Sequence, residues 1–261
     1  MFDLGMFLSA GFWLLIFAVS GWLVSLLKND VSIVDSLWSL MILLAGIVFF
    51  AMEDSPVARS YLVLILAVLW AVRLSAYITW RNHGQEEDAR YQAIRANNQP
   101  HFKYKSLYIV FGLQAFLGWL VALPLLAAIN SDSGLNVLDY LALLLWLVGM
   151  FFEVIGDWQM AQFKADPANK GKVMDSGLWR YTRHPNYFGE FCIWWAFFLF
   201  ALAAGGWWSI LSPLIMTVLL LKVSGVALLE KDITERRPKY HEYIQRTNAF
   251  FPWFPKVAED K

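Results

Sequence analysis

Apolar residues run along this chain in blocks of about 20 with short polar stretches between them, the pattern of helices that cross a membrane. Seven blocks are long enough, at about 4–27, 32–51, 57–80, 105–129, 136–160, 188–204 and 207–229. Only Gly205-Gly206 separates the last two, which predicts a tight helical hairpin. The first block lacks a small-residue cleavage site and exceeds the apolar core of a signal peptide, so it is expected to stay as a span. In the polar stretch 81–105, Gln85 to Tyr91 is expected to be helical, because acids there precede Arg90 and Arg95 at favourable spacing. The stretch 164–187 holds the turn formers Asp166-Pro167, Gly171 and Gly177. The charged tail 230–250 is interrupted by Pro238, and Tyr240, Tyr243 and Ile244 recur at helical spacing. That tail is expected to form a surface helix capping a cavity. With no internal repeat and no linker composition, residues 1–261 read as a single integral-membrane domain, its polar-decorated half at about 150–255.

Composition agrees with this reading. Of 261 residues, 59% are hydrophobic, with 14 Trp and 20 Phe, well beyond the usual make-up of a soluble domain. The fold class is therefore all-α and polytopic, with seven transmembrane helices. The aromatic wealth belongs to lipid-facing packing and interfacial belts. A single cysteine, Cys192, excludes an intrachain disulfide and a CxxC site. Four scattered histidines without HxxxH or HxH spacing give no metal signal. A net charge of zero gives no nucleic-acid signal.

Charge does change the picture of orientation. With seven spans, one side carries Lys28, then Arg81, Arg90, Arg95, Lys103 and Lys105, then Lys164 to Arg183, then the tail from Lys231. The other side carries Arg59 with Glu53, Asp54 and Asp132. The excess of basic residues in cytoplasmic loops then places the amino terminus outside and the carboxyl terminus in the cytoplasm. Chemistry on a soluble cofactor is expected to face the cytoplasm.

Candidate chemistry concentrates between Gly177 and Glu190, where Arg180, Arg183, His184, Asn186, Tyr187 and Glu190 fall within fourteen residues. Pro185 suits the first turn of a helix. Arginines just ahead of a helix amino terminus suit a di- or triphosphate-like group, whereas head-group anchoring needs no such fixed company. Glu153 and Asp157 lie one turn apart near the end of the fifth span, with Lys164 two turns further. Ionisable residues in spans usually line a cavity or meet partners, so this stripe reads as ribose, amide and phosphate contacts or as a structural salt bridge. Asp35 lies inside the second apolar run. Burial raises a carboxyl pKa, which equips Asp35 to donate a proton to a carbonyl oxygen; pairing with Arg73 is the alternative. The tail adds Glu230, Asp232, Arg236, Tyr240 and Tyr243.

The stretch Gly177-Leu178-Trp179-Arg180-Tyr181-Thr182-Arg183-His184-Pro185-Asn186-Tyr187-Phe188-Gly189-Glu190 resembles the signature of the membrane steroid 5α-reductase and sterol reductase superfamily. Asp157 with Lys164, and the tail from Tyr243 to Pro252, resemble the same family. The likeness covers the carboxyl-terminal half, and the chain looks like a bacterial member of the related branch catalogued as a domain of unknown function, DUF1295. The resemblance implies a seven-helix fold that binds NADPH from the cytoplasmic side of a bacterial inner membrane and admits a lipophilic substrate from the bilayer. Carried over by position, Glu153, Asp157, Lys164, Arg180, Arg183, His184, Asn186 and Tyr187 are cofactor contacts, with Asp232, Arg236, Tyr240 and Tyr243 in the closing tail. Asp35, Glu190 and Tyr187 are the catalytic candidates. Trp70 stands where the family has a tyrosine, and Tyr77 lies two turns later on that face.

The activity these residues imply is NADPH-dependent reduction of a carbon–carbon double bond conjugated to a ketone in a steroid-like lipid. A different class, a membrane methyltransferase using S-adenosylmethionine, shares an Arg-His-Pro-x-Tyr-x-Gly stretch. Glu190 after Gly189, and Glu230-Lys231-Asp232 in place of paired glutamates, favour the reductase. A non-enzymatic lipid-binding role has no use for the polar stripe.

Overall fold

The computed structural model describes residues 2–223, 225–230 and 233–256, and the regular elements among them are helices. Helices α1 (Leu4–Lys28), α2 (Ile33–Ala51) and α3 (Ala58–Asn82) precede a short polar helix, α4 (Ala89–Asn97). Then come α5 (Phe102–Ile129), α6 (Val137–Ala165) and α7 (Pro185–Ala203). Among the described residues six helices, all of these except α4, are long and apolar enough to cross a membrane. The protein is thus a multi-pass membrane protein. The stretch expected as a seventh span, 207–229, forms a shorter apolar helix, α8 (Trp207–Val223), followed by α9 (Val226–Glu230). Two short helices close the chain, α10 (Ile233–Arg236) and α11 (Tyr240–Arg246).

Exposure is inverted relative to a water-soluble bundle. Helix α1 turns Leu8, Phe12, Leu15 and Val19 outward while burying Ala10, Leu14, Ala18 and Gly21. In water such a face would be an aggregation surface, whereas in hydrocarbon it costs nothing.

The contacts group into two compact units. The first holds the residues up to Asp139 with Phe200–Ser212. Its centre is α2, which packs on α1, α3 and α5 and buries Met41, Ile42 and Phe49. Trp70 is fully buried there, so the position where a tyrosine was sought is core. The Ser39 hydroxyl donates to the Ala71 carbonyl (2.9 Å), satisfying a buried polar group between α2 and α3. The Gly205-Gly206 turn forms as expected: Gly205 has φ +78°, and the Gly206 amide reaches the Ala201 carbonyl at 2.7 Å. The polar stretch 81–105 differs from expectation. Its helix begins at Ala89, and the acids precede it as anchors: Asp88 caps the Arg90 amide (2.9 Å), while Glu87 holds Arg95 (2.7 Å) and the Val31 amide (2.9 Å).

The deepest charges in this unit are Arg59 and Asp139, 0% and 1% exposed. Arg59 donates Nε and Nη2 to the two Asp139 oxygens (2.7 and 2.8 Å), Nη1 to Ser131 (2.7 Å) and Nη2 to the Gly134 carbonyl (2.8 Å). Asp139 also accepts the Asn136 amide (2.7 Å). A buried pair is strongly destabilised by loss of one partner, because the other charge is left in a low dielectric. Arg59→Ala is expected to destabilise the detergent-solubilised protein by about 3–5 kcal/mol, whereas Arg59→Met with Asp139→Leu restores most of that loss. Thermal unfolding of the single and double variants checks both.

The second unit holds Tyr140–Leu199 and the chain from Pro213 on, and is built on α6 and α7. A side chain at Gly189 of α7 would place its Cβ 2.5 Å from the Gly149 carbonyl oxygen of α6, and one at Gly149 would meet the Gly189 carbonyl oxygen at 2.7 Å. The two backbones touch. Small residues permit this approach, on which helix association in lipid relies. Gly189→Ala is expected to cost about 1–3 kcal/mol, as over-packing of a tight contact does, while Ala196→Gly on the same helix costs about 1 kcal/mol or less. Thermal unfolding in detergent separates the two.

Candidate functional site

The α6–α7 contact sets the register of the polar residues in the second unit. Glu153, Asp157 and Glu190 are 2%, 6% and 7% exposed, so three carboxyls are buried on two neighbouring helices. Asn186, in the first turn of α7, donates its amide to Asp157 Oδ1 at 3.1 Å. Glu190, one turn later, accepts the Trp194 indole N–H (3.0 Å). Helix α7 starts at Pro185, the residue read as its first-turn signal.

Ahead of α7, the loop 177–184 is clasped by the tail. The Tyr243 hydroxyl donates to the Trp179 carbonyl, Thr182 Oγ1 to the Phe250 carbonyl (2.8 Å), and the Arg183 amide to the Asn248 carbonyl (2.9 Å). The Trp179 indole donates to the Gly156 carbonyl of α6 (3.1 Å) and the Leu178 amide to Gln159 Oε1 (2.9 Å), so the loop is fixed from below as well. Phe250 packs edge-on against Phe188 and Phe191.

At the hub is Glu230, the last residue of α9. Its Oε1 and Oε2 accept Arg183 Nε and Nη2 (2.7 and 2.9 Å), Oε1 also meets His184 Nε2 (3.0 Å), and the Tyr240 hydroxyl donates to it at 3.3 Å. Arg183 Nη1 donates to the Thr247 and Ile244 carbonyls. Burial pushes the Glu230 carboxyl pKa up, but the hydrogen bonds from His184 and Arg183 and the arginine charge outweigh it and bring the value down from 4.5 to about 2.

The sequence-derived candidates therefore divide. Arg183, His184, Tyr240 and Tyr243, expected as cofactor contacts, bond one another, Glu230 and the backbone; their visible task is to hold tail to loop. His184 stacks on Tyr187 with centroids 5.6 Å apart and rings 4° from parallel. Asp157, Asn186, Glu153 and Glu190 come together on α6 and α7. Lys164 and Arg180 are exposed, with Arg180 contributing its carbonyl to the Thr247 hydroxyl (3.3 Å). Asp232 and the side chain of Arg236 lie outside the described residues. Asp35 belongs to the first unit. Expected as a neutral donor or as a partner of Arg73, it instead accepts on both oxygens: Oδ2 from Arg90 Nη2 and Oδ1 from the Tyr91 hydroxyl, each at 2.6 Å. The physical reason is α4, whose first turn carries a guanidinium and a phenol to this carboxylate. Arg73 lies over the Tyr77 ring at 5.5 Å.

Sequence reasoning missed Glu230, Gln159, Arg90 and Tyr91 as partners. Glu230 is an acid just past an apolar stretch, and Arg90 is an odd cation beside a tyrosine in an otherwise acidic segment; those were the available signals.

The exposed Arg180 and Lys164 supply cations of the kind phosphate oxygens take, and the Asp157–Asn186 pair offers the acceptor and amide that ribose hydroxyls or a carboxamide require. By that donor set, a dinucleotide fits.

A family model described as "Protein of unknown function (DUF1295)" matches residues 21–247. The chain belongs to this family. It is also 27% identical over 264 residues to an uncharacterized protein, C594.04c, of Schizosaccharomyces pombe, covering 88% of this chain and 75% of that one. No solved structure matches.

The hub gives a pH signature. A carboxyl whose folded pKa lies below its unfolded value contributes stability that is complete above about pH 4.5 and is lost as pH falls toward about 2. Glu230→Gln is expected to remove that part of the acid limb of a stability–pH profile and to loosen the tail, read as faster proteolysis near Tyr240.

Proposed function

We propose that this protein is an NADPH-dependent membrane reductase acting on a carbon–carbon double bond conjugated to a ketone in a flat, steroid-like lipid, with its site open to the cytoplasm. The single observation that carries the reading is the hydrogen-bonded Asp157–Asn186 pair at the start of α7, with Arg180 exposed on the loop that the tail holds down. The likeness of Gly177–Glu190 to the steroid reductase signature supports the same assignment.

When bound, NADPH supplies the hydride that the β-carbon of the enone accepts, and a proton completes the saturated ketone. The chain's own residues bind, orient and hold protons. Arg180 and Lys164 take phosphate; Asp157 and Asn186 fix ribose or carboxamide. The clasped tail excludes water from the polar cluster. The proton-holding candidates in this reading are Glu190 and Tyr187, on the same helix as Asn186.

A methyltransferase using S-adenosylmethionine is the second reading. The observation in its favour is the three buried carboxyls on α6 and α7, which suit a sulfonium cation better than a pyrophosphate. Titration calorimetry with both cofactors discriminates: NADPH is expected to bind, and tight S-adenosylmethionine binding without NADPH binding reverses the order. With the wild-type protein, loss of the reduced-nicotinamide absorbance is expected to depend on an added enone such as progesterone. Glu190→Gln is expected to lower turnover about 100-fold or more, the usual cost of one oxyanion donor, with the NADPH dissociation constant unchanged. No oxidation across a panel of enones sinks the proposal.

A further inference from the structure

In the first unit, a pocket of about 200 Å³ opens where α1 ends, lined by Ser25, Asn29, Arg95, Lys103, Tyr104 and Ser106 with two aliphatic neighbours. That is smaller than a typical site for a drug-sized molecule and suits a single polar group. The lining carries two cations and no carboxylate.

The pocket is built by local geometry. Helix α1 stops at Asn29, whose left-handed backbone (φ 52°) returns its N–H to the Ser25 carbonyl. The Trp22 indole donates to the Lys103 carbonyl (2.8 Å) and ties the end of α1 to the start of α5. Arg95 is held from two directions. Its Nε and Nη2 donate to Glu87 (2.8 and 2.7 Å), which is itself anchored by the Val31 amide, and its guanidinium lies 4.7 Å from the Phe102 ring centroid. Among the described residues, those bonds leave Arg95 Nη1 for a ligand. Glu87 offsets the Arg95 charge from the far edge. Lys103 adds a second cation, whose head group lies over the Tyr104 ring at 5.1 Å without a carboxylate partner among the described residues. Lys28 and Lys105 flank the pocket in the chain. Ser25 and Ser106 donate their hydroxyls to the Trp22 and Lys103 carbonyls, so the donors left to a ligand are Arg95, Lys103, Asn29 and Tyr104.

The setting points to the membrane interface. On α1, Leu23 and Leu27 are exposed just before the pocket, Leu27 at 88%, and Tyr104 and Tyr108 are exposed at the start of α5. An apolar outer face that passes into aromatic rings and then into cations is the profile of headgroup depth.

We propose that this pocket binds an anionic phosphate ester through Arg95 and Lys103, the chemistry shared by an acidic phospholipid headgroup and a soluble phosphate metabolite. Its residues are separate from those of the proposed reductase site, so either assignment can fail alone.

The test uses the full chain in detergent, titrated with short-chain phosphatidylglycerol, short-chain phosphatidylcholine and glycerol phosphate, with thermal shift and native mass spectrometry as readouts. Phosphatidylglycerol is expected to bind more tightly than phosphatidylcholine. Lys103→Gln and Arg95→Gln are each expected to weaken binding about fivefold, and Lys170→Gln, a basic loop residue outside the pocket, to leave it unchanged. Because Arg95 also anchors Glu87, Lys103→Gln, whose head group contacts only an exposed ring among the described residues, is the decisive variant. Binding of phosphatidylglycerol alone assigns a lipid as the source, and equal protection by glycerol phosphate assigns a soluble ester. Equal affinity for phosphatidylcholine and phosphatidylglycerol, or phosphatidylglycerol affinity untouched by Lys103→Gln, overturns the proposal.

Discussion

Within the second unit, the contact of Gly149 with Gly189 is the constraint from which the rest follows. Lipid offers no hydrophobic force between helices, so two apolar helices stay together through dispersion, hydrogen bonds and close fit. Each of these glycines lies against the other's carbonyl oxygen, and the Gly189 position also lies within 2.6 Å, by its missing Cβ, of the Glu153 amide. One turn further along α6, Gly156 lies under Pro185 and the Asn186 amide, each 3.2 Å from where its Cβ would be. Three glycines thus bring the end of α6 under the first turn of α7. Asp157 and Asn186 meet as a consequence, and Trp179 finds the Gly156 carbonyl. A methyl group between the helices would separate all of these together.

The second support is electrostatic and depends on the first. Once α7 starts at Pro185, Arg183 and His184 are directed at Glu230, and one carboxylate receives a guanidinium, an imidazole and a phenol. Arg183 is 7% exposed, a position at which an unpaired guanidinium would be strongly disfavoured. Glu230 and the carbonyls of Ile244 and Thr247 satisfy it from two sides. The tail is therefore held by the same residue that precedes the helix, and the polar loop is rigid before any ligand arrives. Rigid presentation of a few half-exposed groups is what binding of a charged cofactor requires, since little ordering then remains to oppose association.

Six membrane helices were legible in the sequence because hydrocarbon imposes length and apolarity on every span, and local composition carries both. The Gly205-Gly206 turn was legible for a similar reason, as a positive φ is a local demand that glycine answers. The stretch after Trp207 was less so: its apolar run reaches residue 229, but α8 ends at Val223 ahead of Gly225, a break that hydropathy does not register. In the site, the one-turn spacing of Glu153 and Asp157 along α6 was legible as helical periodicity. Partnerships across the chain were not. Asp35 with Arg90 and Tyr91, or Arg183 with Glu230, join residues about 50 positions apart, and no periodicity encodes such a distance.

The same physics explains why so many polar residues are bonded within the protein itself. Inside a bilayer every donor and acceptor needs an internal partner, so a membrane protein commits conspicuous arginines, tyrosines and carboxylates to its own architecture first. Arg59, Arg183 and Tyr243 illustrate this, being as polar as any catalytic group and satisfied by the protein itself. Groups available to a ligand are those whose bonding is incomplete and whose surroundings are polar enough to hold them there. Arg180 meets that condition in one unit, and Arg95 Nη1 and Lys103 in the other. A signature of residue types thus locates the region of a site, while the inventory of satisfied hydrogen bonds separates groups that hold the fold from those that face a ligand.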